Sequence, residues 1–350
     1  MSNEDKTSNP TLIHKPHISW SDSYAKAQDV IASLASILPS VPPSIAASES
    51  PATSLLHDPD VAADVKQLLH HPDSGAGDDN LCRWLYDTFQ SAQPELHLVV
   101  LRFIPVLAGV YLSRASLKKP LPGFEAVLLA IYAYETATRN GQAVMVSIPD
   151  VSYSSIYHEA KQTAKNGAPE PHLAVVSPGL EPHGTVRSTR RARIVGVALE
   201  LYYNKISYMP IDSKIDFCKV CMIWSGHQEE SSIINLEASS SSHVKDDNIE
   251  NLENRCQNKE QGQGRITMPW EILQPILRIL GHCLTGSSKD KQLSEVACAA
   301  CNCLYARSLH DINSKAILAI GSLLKLAKLV ADSKDDIDHT EITMSNVITI

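Results

Sequence analysis

The strongest hydrophobic pattern in this chain lies between residues 94 and 139. Apolar side chains dominate Pro94 to Ala115 and again Phe124 to Arg139. A turn that holds Pro120 and Pro122 separates the two stretches. A helix that is apolar on most sides has to be buried by neighbouring elements. The pattern therefore predicts a pair of packed helices at the centre of the fold.

The stretch that follows this helical pair has a different pattern. Gly141 stops the second helix, and Val144 to Pro149 is rich in β-branched and apolar residues. This composition is typical of an extended segment. A partly apolar extended segment that leaves a helical pair is expected to lie in a groove or to contact a partner.

Apolar residues at helical spacing recur on both sides of the centre. Asp58 followed by Pro59 is a typical helix start, because it joins an N-cap residue to a proline at the first helical position. Together the stretches predict an all-α fold, an irregular bundle or solenoid of about ten helices with one short extended segment and no fixed repeat period. The other predicted helices are Ser21–Leu38, the stripe Leu81–Phe89, Thr189–Tyr208, Lys214–Trp224, Pro269–Leu284, Asp290–Leu309 and Asn313–Ala331.

Composition divides the chain into five regions. Residues 1–54 are predicted to be largely disordered with one amphipathic helix, and Pro39 to Ser54 is predicted to be a linker. Residues 55–225 form the helical core, with a loop rich in proline and glycine at 167–188. An acidic, serine-rich linker at 226–264 is predicted to be disordered. Helices in 265–331 are predicted to complete the same fold, and residues 332–350 are predicted to form an acidic, mobile tail.

The net charge of −8 can be assigned entirely to two stretches of the chain. Residues 228–265 carry eight acidic and four basic residues, and 331–350 carry five acidic and one basic residue. The rest is neutral overall, which argues against a nucleic-acid partner. The start of the chain has no apolar signal sequence. The window from Leu96 to Leu112 is short for a bilayer span and contains Arg102. We therefore expect a cytosolic protein with reduced cysteines.

No pattern in the sequence supports catalysis or a cofactor. P-loop, dinucleotide-binding, nucleophile-elbow and zinc-protease motifs are absent from the sequence. Cys218 and Cys221 form a C-x-x-C pair, and a second cluster of cysteines lies at 298–303. Both lie inside helical patterns, which favours core packing over zinc. His158 and Glu159 allow an acid–base pair in principle, but a structural hydrogen bond is favoured because no nucleophile can be placed beside them.

The one basic cluster consists of Arg187, Arg190, Arg191 and Arg193 at the start of a predicted helix. Cations at a helix N-terminus oppose the macrodipole, at a cost of roughly a few tenths of a kcal/mol each. Such a cluster suggests contacts with an acidic partner or with anionic lipid headgroups. A solvated helix entry explains it equally well.

Three sequence blocks, in order, resemble the hyccin family, and the similarity runs with gaps from about Leu81 to Leu326. The first block holds Pro105 and Tyr111. The second and third blocks are longer, and the order of all three is more specific than any one alone. Their family-motif residues are Glu125, Leu128, Tyr132, Pro149, Tyr157, His158 and Glu159 in the second block, and Tyr203, Asn204, Tyr208, Met209 and Pro210 in the third.

The resemblance implies an all-helical, non-catalytic subunit of the plasma-membrane phosphatidylinositol 4-kinase III alpha complex. Family members pack on a tetratricopeptide-repeat scaffold subunit and stabilise it, while a separate lipid-anchored subunit brings the assembly to the inner face of the plasma membrane. The long N-terminus and acidic linker are similar to the plant branch. The motif residues are then expected to bind a partner or to support the fold. The alternative is a free-standing helical module that binds anionic membranes or acidic partners through Arg187 to Arg193.

Overall fold

The computed structural model describes residues 20–91, 93–148, 172–182, 190–226, 265–286 and 290–332, and most of these residues are α-helical. The prediction of an all-α fold is confirmed. Beyond the α-helices, the described residues form a 3-10 turn, Ile206–Tyr208, and two strands, β1 (Val144–Ile148) and β2 (His172–Ser177). The helices are α1 (Trp20–Ile37), α2 (Pro43–Ala46), α3 (Pro51–His57), α4 (Pro59–His70), α5 (Asn80–Gln90), α6 (Pro94–Ser116), α7 (Pro122–Arg139), α8 (Arg191–Asn204), α9 (Ile211–Ser225), α10 (Trp270–Thr285), α11 (Lys291–His310) and α12 (Ser314–Asp332).

Aspartate N-caps define where three of the helices begin. The carboxylate of Asp58 accepts a hydrogen bond from the backbone N–H of Val61 at 2.8 Å, so the predicted start of α4 is confirmed. Asp79 caps α5 and Asp290 caps α11 in the same way. Each cap satisfies a backbone donor that the helix itself leaves without an acceptor.

Helix α6 lies at the centre of the fold and packs against α3, α4, α5, α8 and α9. Val99, Val100, Ile104, Leu107 and Ala108 are fully buried. These residues lie on several faces of α6, which is why the helix is apolar nearly all round. Helices α6 and α7 have bounds within two residues of those expected, but they do not form the packed pair that was predicted, because α7 packs mainly against α5 and α8.

Helix α6 is also long and apolar enough to cross a membrane, contrary to the expectation that its apolar window is too short. The stretch Pro94–Ala115 meets the criteria of length and composition, and 78% of it is buried inside the fold. A core helix of a globular domain meets the same criteria, since burial against protein and burial in lipid both select apolar side chains.

The C-terminal helices share one continuous hydrophobic core with the N-terminal ones. This core extends along the chain from Ile31 to Ile320. Helix α10 packs on α8, and α11 packs on both α9 and α12. Helices α8 and α10 approach closely at Gly196, where a Cβ atom would collide with the carbonyl oxygen of Glu271.

The structure differs from expectation between residues 39 and 54. The predicted linker holds α2 and α3, and Val41, Ile45 and Ala52 are buried. Each short helix has a proline in its first turn. Proline suits that position because its missing N–H is not needed there. The prolines that suggested a linker are therefore helix starts.

Two further differences concern an unpredicted strand and an interrupted helix. The predicted loop at 167–188 contains β2, which pairs antiparallel with β1, so there are two extended segments rather than one. An extended strand needs partners for its backbone groups, and such non-local pairing does not show in local composition. The predicted helix Thr189–Tyr208 is interrupted at Lys205, between α8 and the 3-10 turn.

The predicted acidic linker beyond residue 226 and the predicted tail beyond 332 lie outside the described residues.

Candidate interaction surfaces

The strands β1 and β2 form an antiparallel pair that is fixed at the end nearest α7. Asn140, at the end of α7, has a φ of 48°, and Gly141 has a φ of 70°, so the chain turns sharply there. The N–H of Leu180 donates to the carbonyl of Gly141 at 2.8 Å. The N–H of Glu181 donates to the phenol oxygen of Tyr132 at 3.0 Å. Tyr132, from the second family block, thus links α7 to the segment that follows β2.

The strand pair carries apolar side chains into solvent. Met145 lies opposite Val175 and Ser147 opposite Leu173, so these four share one face. Met145, Leu173 and Val175 are 57%, 62% and 56% exposed. Val146, on the other face, is 48% exposed. A contiguous exposed apolar surface on a two-stranded ribbon is typical of a protein–protein contact. We call Met145, Leu173 and Val175 the ribbon face.

The first two family blocks meet at Tyr111 and Glu125. The phenol of Tyr111 on α6 donates to Glu125 Oε1 on α7 at 3.1 Å, and Arg191 Nη2 lies 3.6 Å from the same oxygen. Burial, and next the neighbouring Glu125 carboxylate, raise the pKa of Tyr111 well above its ordinary value. The three residues connect α6, α7 and α8, which is a structural role.

Four other family-motif residues lie in the core or at helix ends. Pro105 is buried inside α6, and Leu128 on α7 is fully buried. Asn204 is the last residue of α8, and Pro210 directly precedes α9. Pro105 and Leu128 contribute to packing and Pro210 to a helix boundary, whereas the side chain of Asn204 is exposed.

The remaining described residues of the third block differ in exposure. The guanidinium of Arg278 on α10 stacks over the ring of Tyr203 at 4.2 Å, a cation–π contact. Met209 is buried, whereas Tyr208 is 60% exposed. Tyr208 is therefore accessible to a partner, as is the exposed Asn204 of the same block.

Several predicted site residues lie outside the described part of the chain. They are Pro149, Tyr157, His158, Glu159 and Arg187. Their roles stay predictions.

The other three arginines of the basic cluster contact groups within the chain. Arg190 pairs with Glu181, and Arg191 pairs with Glu125. Arg193 donates to the carbonyl of Pro178 at 3.3 Å and also to that of Gly179. These contacts explain part of the cluster as a connection between α8 and the end of β2. The side chains of Arg190 and Arg191 nevertheless remain 60% and 40% exposed.

A buried cluster of three charged side chains, Glu135, Arg139 and Glu200, was not predicted. Arg139 Nε is 3.3 Å from Glu135, and Arg139 Nη1 is 3.6 Å from Glu200. All three side chains are at most 12% exposed. Burial, opposed by the Arg139 charge and reinforced by that of Glu200, raises the pKa of Glu135. The i,i+4 spacing of Glu135 and Arg139 was visible in the sequence, whereas Glu200 comes from α8.

The cysteines of the C-x-x-C pair are core residues. Cys218 and Cys221 on α9 are fully buried, as is Cys301 on α11. Burial raises the pKa of Cys221 well above its usual value and that of Cys301 to about 12. Thiols in such surroundings stay protonated and pack as small hydrophobic groups. Within the described ranges, no set of three or more His, Cys, Asp or Glu side chains has the arrangement of a metal site.

Most of the chain matches the model of a known protein family. The model of the hyccin family matches residues 46–349, which is most of the chain. The match begins within α2 and continues through α12, so it includes the ribbon face, the connection between Tyr111 and Glu125, and the closing helices. The chain therefore belongs to the hyccin family.

Proposed function

We propose that this chain is a non-enzymatic adaptor of a phosphatidylinositol 4-kinase III alpha complex. In this role it binds and stabilises a tetratricopeptide-repeat scaffold subunit and so supports phosphatidylinositol 4-phosphate production. It works from the cytosol at the inner face of the plasma membrane, to which a separate lipid-anchored subunit recruits the assembly. The observation that carries the proposal is the family match across residues 46–349.

The exposed ribbon face supports this role, and we propose it as the surface that binds the scaffold. Met145, Leu173 and Val175 present apolar side chains on a pair of strands whose exit is hydrogen-bonded to the end of α7. The stacked helices of a repeat protein offer a concave, extended binding surface. Binding there would remove the ribbon face from water, which provides the driving force for association.

The first experiment is affinity purification of the tagged protein from its own cells in mild detergent, followed by mass spectrometry. Recovery of the kinase and a tetratricopeptide-repeat scaffold in near-equal amounts supports the proposal. An abundant, folded bait that returns neither protein contradicts it.

A pair of matched variants then tests the binding surface. Substitution of Met145, Leu173 and Val175 by threonine should abolish recovery of the scaffold. Leu318 and Leu329 on α12 are also exposed, at 73% and 59%, and their substitution by threonine is the control. If the ribbon-face variant keeps the scaffold and the control loses it, the adaptor role stands but the ribbon face is not the interface.

A further inference from the structure

A groove of about 760 Å³ opens at the start of α8, on the side facing the segment that leads into α10. Four arginines line it, namely Arg190, Arg191, Arg193 and Arg265. The first three belong to the basic cluster, whereas Arg265 comes from the far side of the predicted acidic linker. Glu271 is the one acidic residue in the lining, which therefore carries a charge of +3.

The arginines of the groove are held in place from behind by carboxylates. Arg190 uses Nη1 to contact Glu181, and Arg191 uses Nη2 to contact Glu125. Each guanidinium presents five N–H donors in a planar fork, so a contact through one nitrogen leaves other donors for a ligand. Pairing of this kind fixes the direction of a side chain and lowers the entropic cost of binding.

Arg265 is held in the same manner from the other side of the groove. Its Nη2 lies 3.4 Å from Asp311 Oδ1 and 3.2 Å from His310 Nδ1. Asp311 is shared with Arg307, whose Nε contacts its other carboxylate oxygen. One carboxylate therefore serves two guanidiniums and neutralises each only in part.

Two observations indicate that positive charge at this groove is not fully compensated by the described residues. Within the described ranges, the Nε atom of Arg191 is buried and has no hydrogen-bond partner. Arg190, the N-cap residue of α8, makes no side-chain hydrogen bond to the first turn of the helix, where three of the arginines lie. A helix N-terminus already carries a partial positive charge, so placing cations there is unfavourable unless an anion is also present.

We propose that this groove binds a phosphomonoester group, either on the headgroup of a phosphoinositide in a membrane or on a free inositol phosphate. The guanidinium fork matches the oxygens of a phosphate group in two-point contacts. The groove is large enough to hold a ring that carries more than one phosphate, and arginines face it from two sides. Such a site would place this face of an adaptor against anionic lipid, in addition to its protein contacts.

The test uses the purified full chain and vesicles of defined composition. Vesicles of phosphatidylcholine with about 5 mol% phosphatidylinositol 4-phosphate are compared with vesicles in which phosphatidylserine supplies the same total charge. The proposal predicts sedimentation with the first set and much weaker sedimentation with the second, because phosphatidylserine has no phosphomonoester. Free inositol 1,4-bisphosphate should compete, and it should raise the midpoint of thermal unfolding of the protein without vesicles. If it does so while neither vesicle set binds, the source of the ligand is soluble.

The variant Arg190→Gln/Arg265→Gln removes one arginine from each side of the groove. Each charge-assisted contact is worth roughly a tenfold change in affinity, so the double variant should bind at least about tenfold more weakly. The control is Lys325→Gln/Lys328→Gln on the exposed side of α12, which removes the same charge. Circular dichroism and the unfolding midpoint without ligand show whether each variant is folded.

Three results would overturn the proposal. The wild-type protein could bind neither of the two phosphomonoester probes. The control could lose binding as much as the groove variant, which would indicate a general charge effect. An acidic peptide without phosphate could compete as well as the inositol phosphate, which would make the groove a peptide site. None of these assays requires the kinase or the scaffold, so this inference and the adaptor role can fail separately.

Discussion

The phenol of Tyr111 on α6 and the carboxylate of Glu125 on α7 are joined by a hydrogen bond of 3.1 Å. The carboxylate also lies 3.6 Å from Arg191 on α8. The carboxylate therefore links α6 to α7 through a side-chain contact and positions one arginine of the groove. Glu125 thus connects the core to the surface at which we propose an anion binds.

This relationship predicts coupled losses of stability. Replacing Tyr111 by phenylalanine should lower the free energy of unfolding by about 1 kcal/mol. Glu125→Ala should lower the free energy of unfolding by about 1–3 kcal/mol, because it leaves the buried phenol of Tyr111 without an acceptor. The double variant should cost less than the sum, as measured by urea unfolding in a double-mutant cycle. Tyr208→Phe, at a residue that is 60% exposed, is the control and should change little. Strict additivity would show that the bond contributes nothing.

The core position of Leu128 gives a second prediction. Leu128 is fully buried on α7. An aspartate there would place an unpaired carboxylate in the apolar core, at a cost of several kcal/mol. Leu128→Asp should therefore lower the thermal midpoint sharply or prevent folding. Leu318→Asp, at a site that is 73% exposed, should stay within about 0.5 kcal/mol of the wild type. Equal midpoints for the two variants would contradict the packing of α7.

Close helix packing predicts opposite effects at two glycines. At Gly196 an added Cβ would collide with the Glu271 carbonyl, so Gly196→Ala should destabilise the protein by about 1–3 kcal/mol. At Gly321 on α12 the nearest atom to an added Cβ, on the ring of Tyr305, is 3.7 Å away, which is ordinary contact. Gly321→Ala should therefore stabilise by about 0.5–1 kcal/mol through helix propensity. Thermal unfolding of both variants is the measurement, and a stable Gly196→Ala protein would rule out the close approach.

The buried Glu135 predicts a dependence of stability on pH. Its pKa is raised in the folded protein above the ordinary value of 4.5. Between the ordinary and the raised value, the folded state binds more protons than the unfolded state, so stability falls as pH rises through this window. Below the window the contribution is fully present. Arg139, Glu200 and Lys205 are the charges that act on this carboxyl group.

Glu135→Gln should remove this part of the decline, as shown by urea unfolding at a series of pH values starting below 4.5. Glu295→Gln, on the exposed side of α11, serves as the control and should keep the decline of the wild type. If the difference between wild type and Glu135→Gln does not vary with pH, the carboxyl group does not titrate differently on folding.

Most helices of this fold could be predicted from the sequence, because their signals are local. The bounds of α6, α7, α10, α11 and α12 agree with the apolar pattern to within two residues. The Asp58 cap is likewise a local signal. The pairing of β2 with β1 could not be predicted, since it joins segments on either side of a long intervening stretch. The short helices α2 and α3 were not predicted, because proline is common both in linkers and in the first turn of a helix.

The candidate sites divide in the same way. The sequence identified Arg190, Arg191 and Arg193 as a cluster, and the family blocks placed Tyr111 and Glu125 in separate helices. It gave no sign that Arg265 faces the cluster or that Glu200 joins Glu135 and Arg139. Glu200 reaches Glu135 and Arg139 only when α8 packs on α7, and Arg265 reaches the cluster only when the segment that leads into α10 lies beside the start of α8.

By itself, the sequence determined the fold class, the central apolar helices and the membership of a family, because periodicity, capping and ordered motifs are properties of neighbouring residues. Only the tertiary structure decided which side chains are buried in the core and which stay exposed to a partner. Tyr111, Leu128 and Cys221 proved to be packing residues, while Met145, Leu173 and the four-arginine groove remain open to solvent. The reason is physical: exposure and charge proximity depend on contacts between segments that are far apart along the chain.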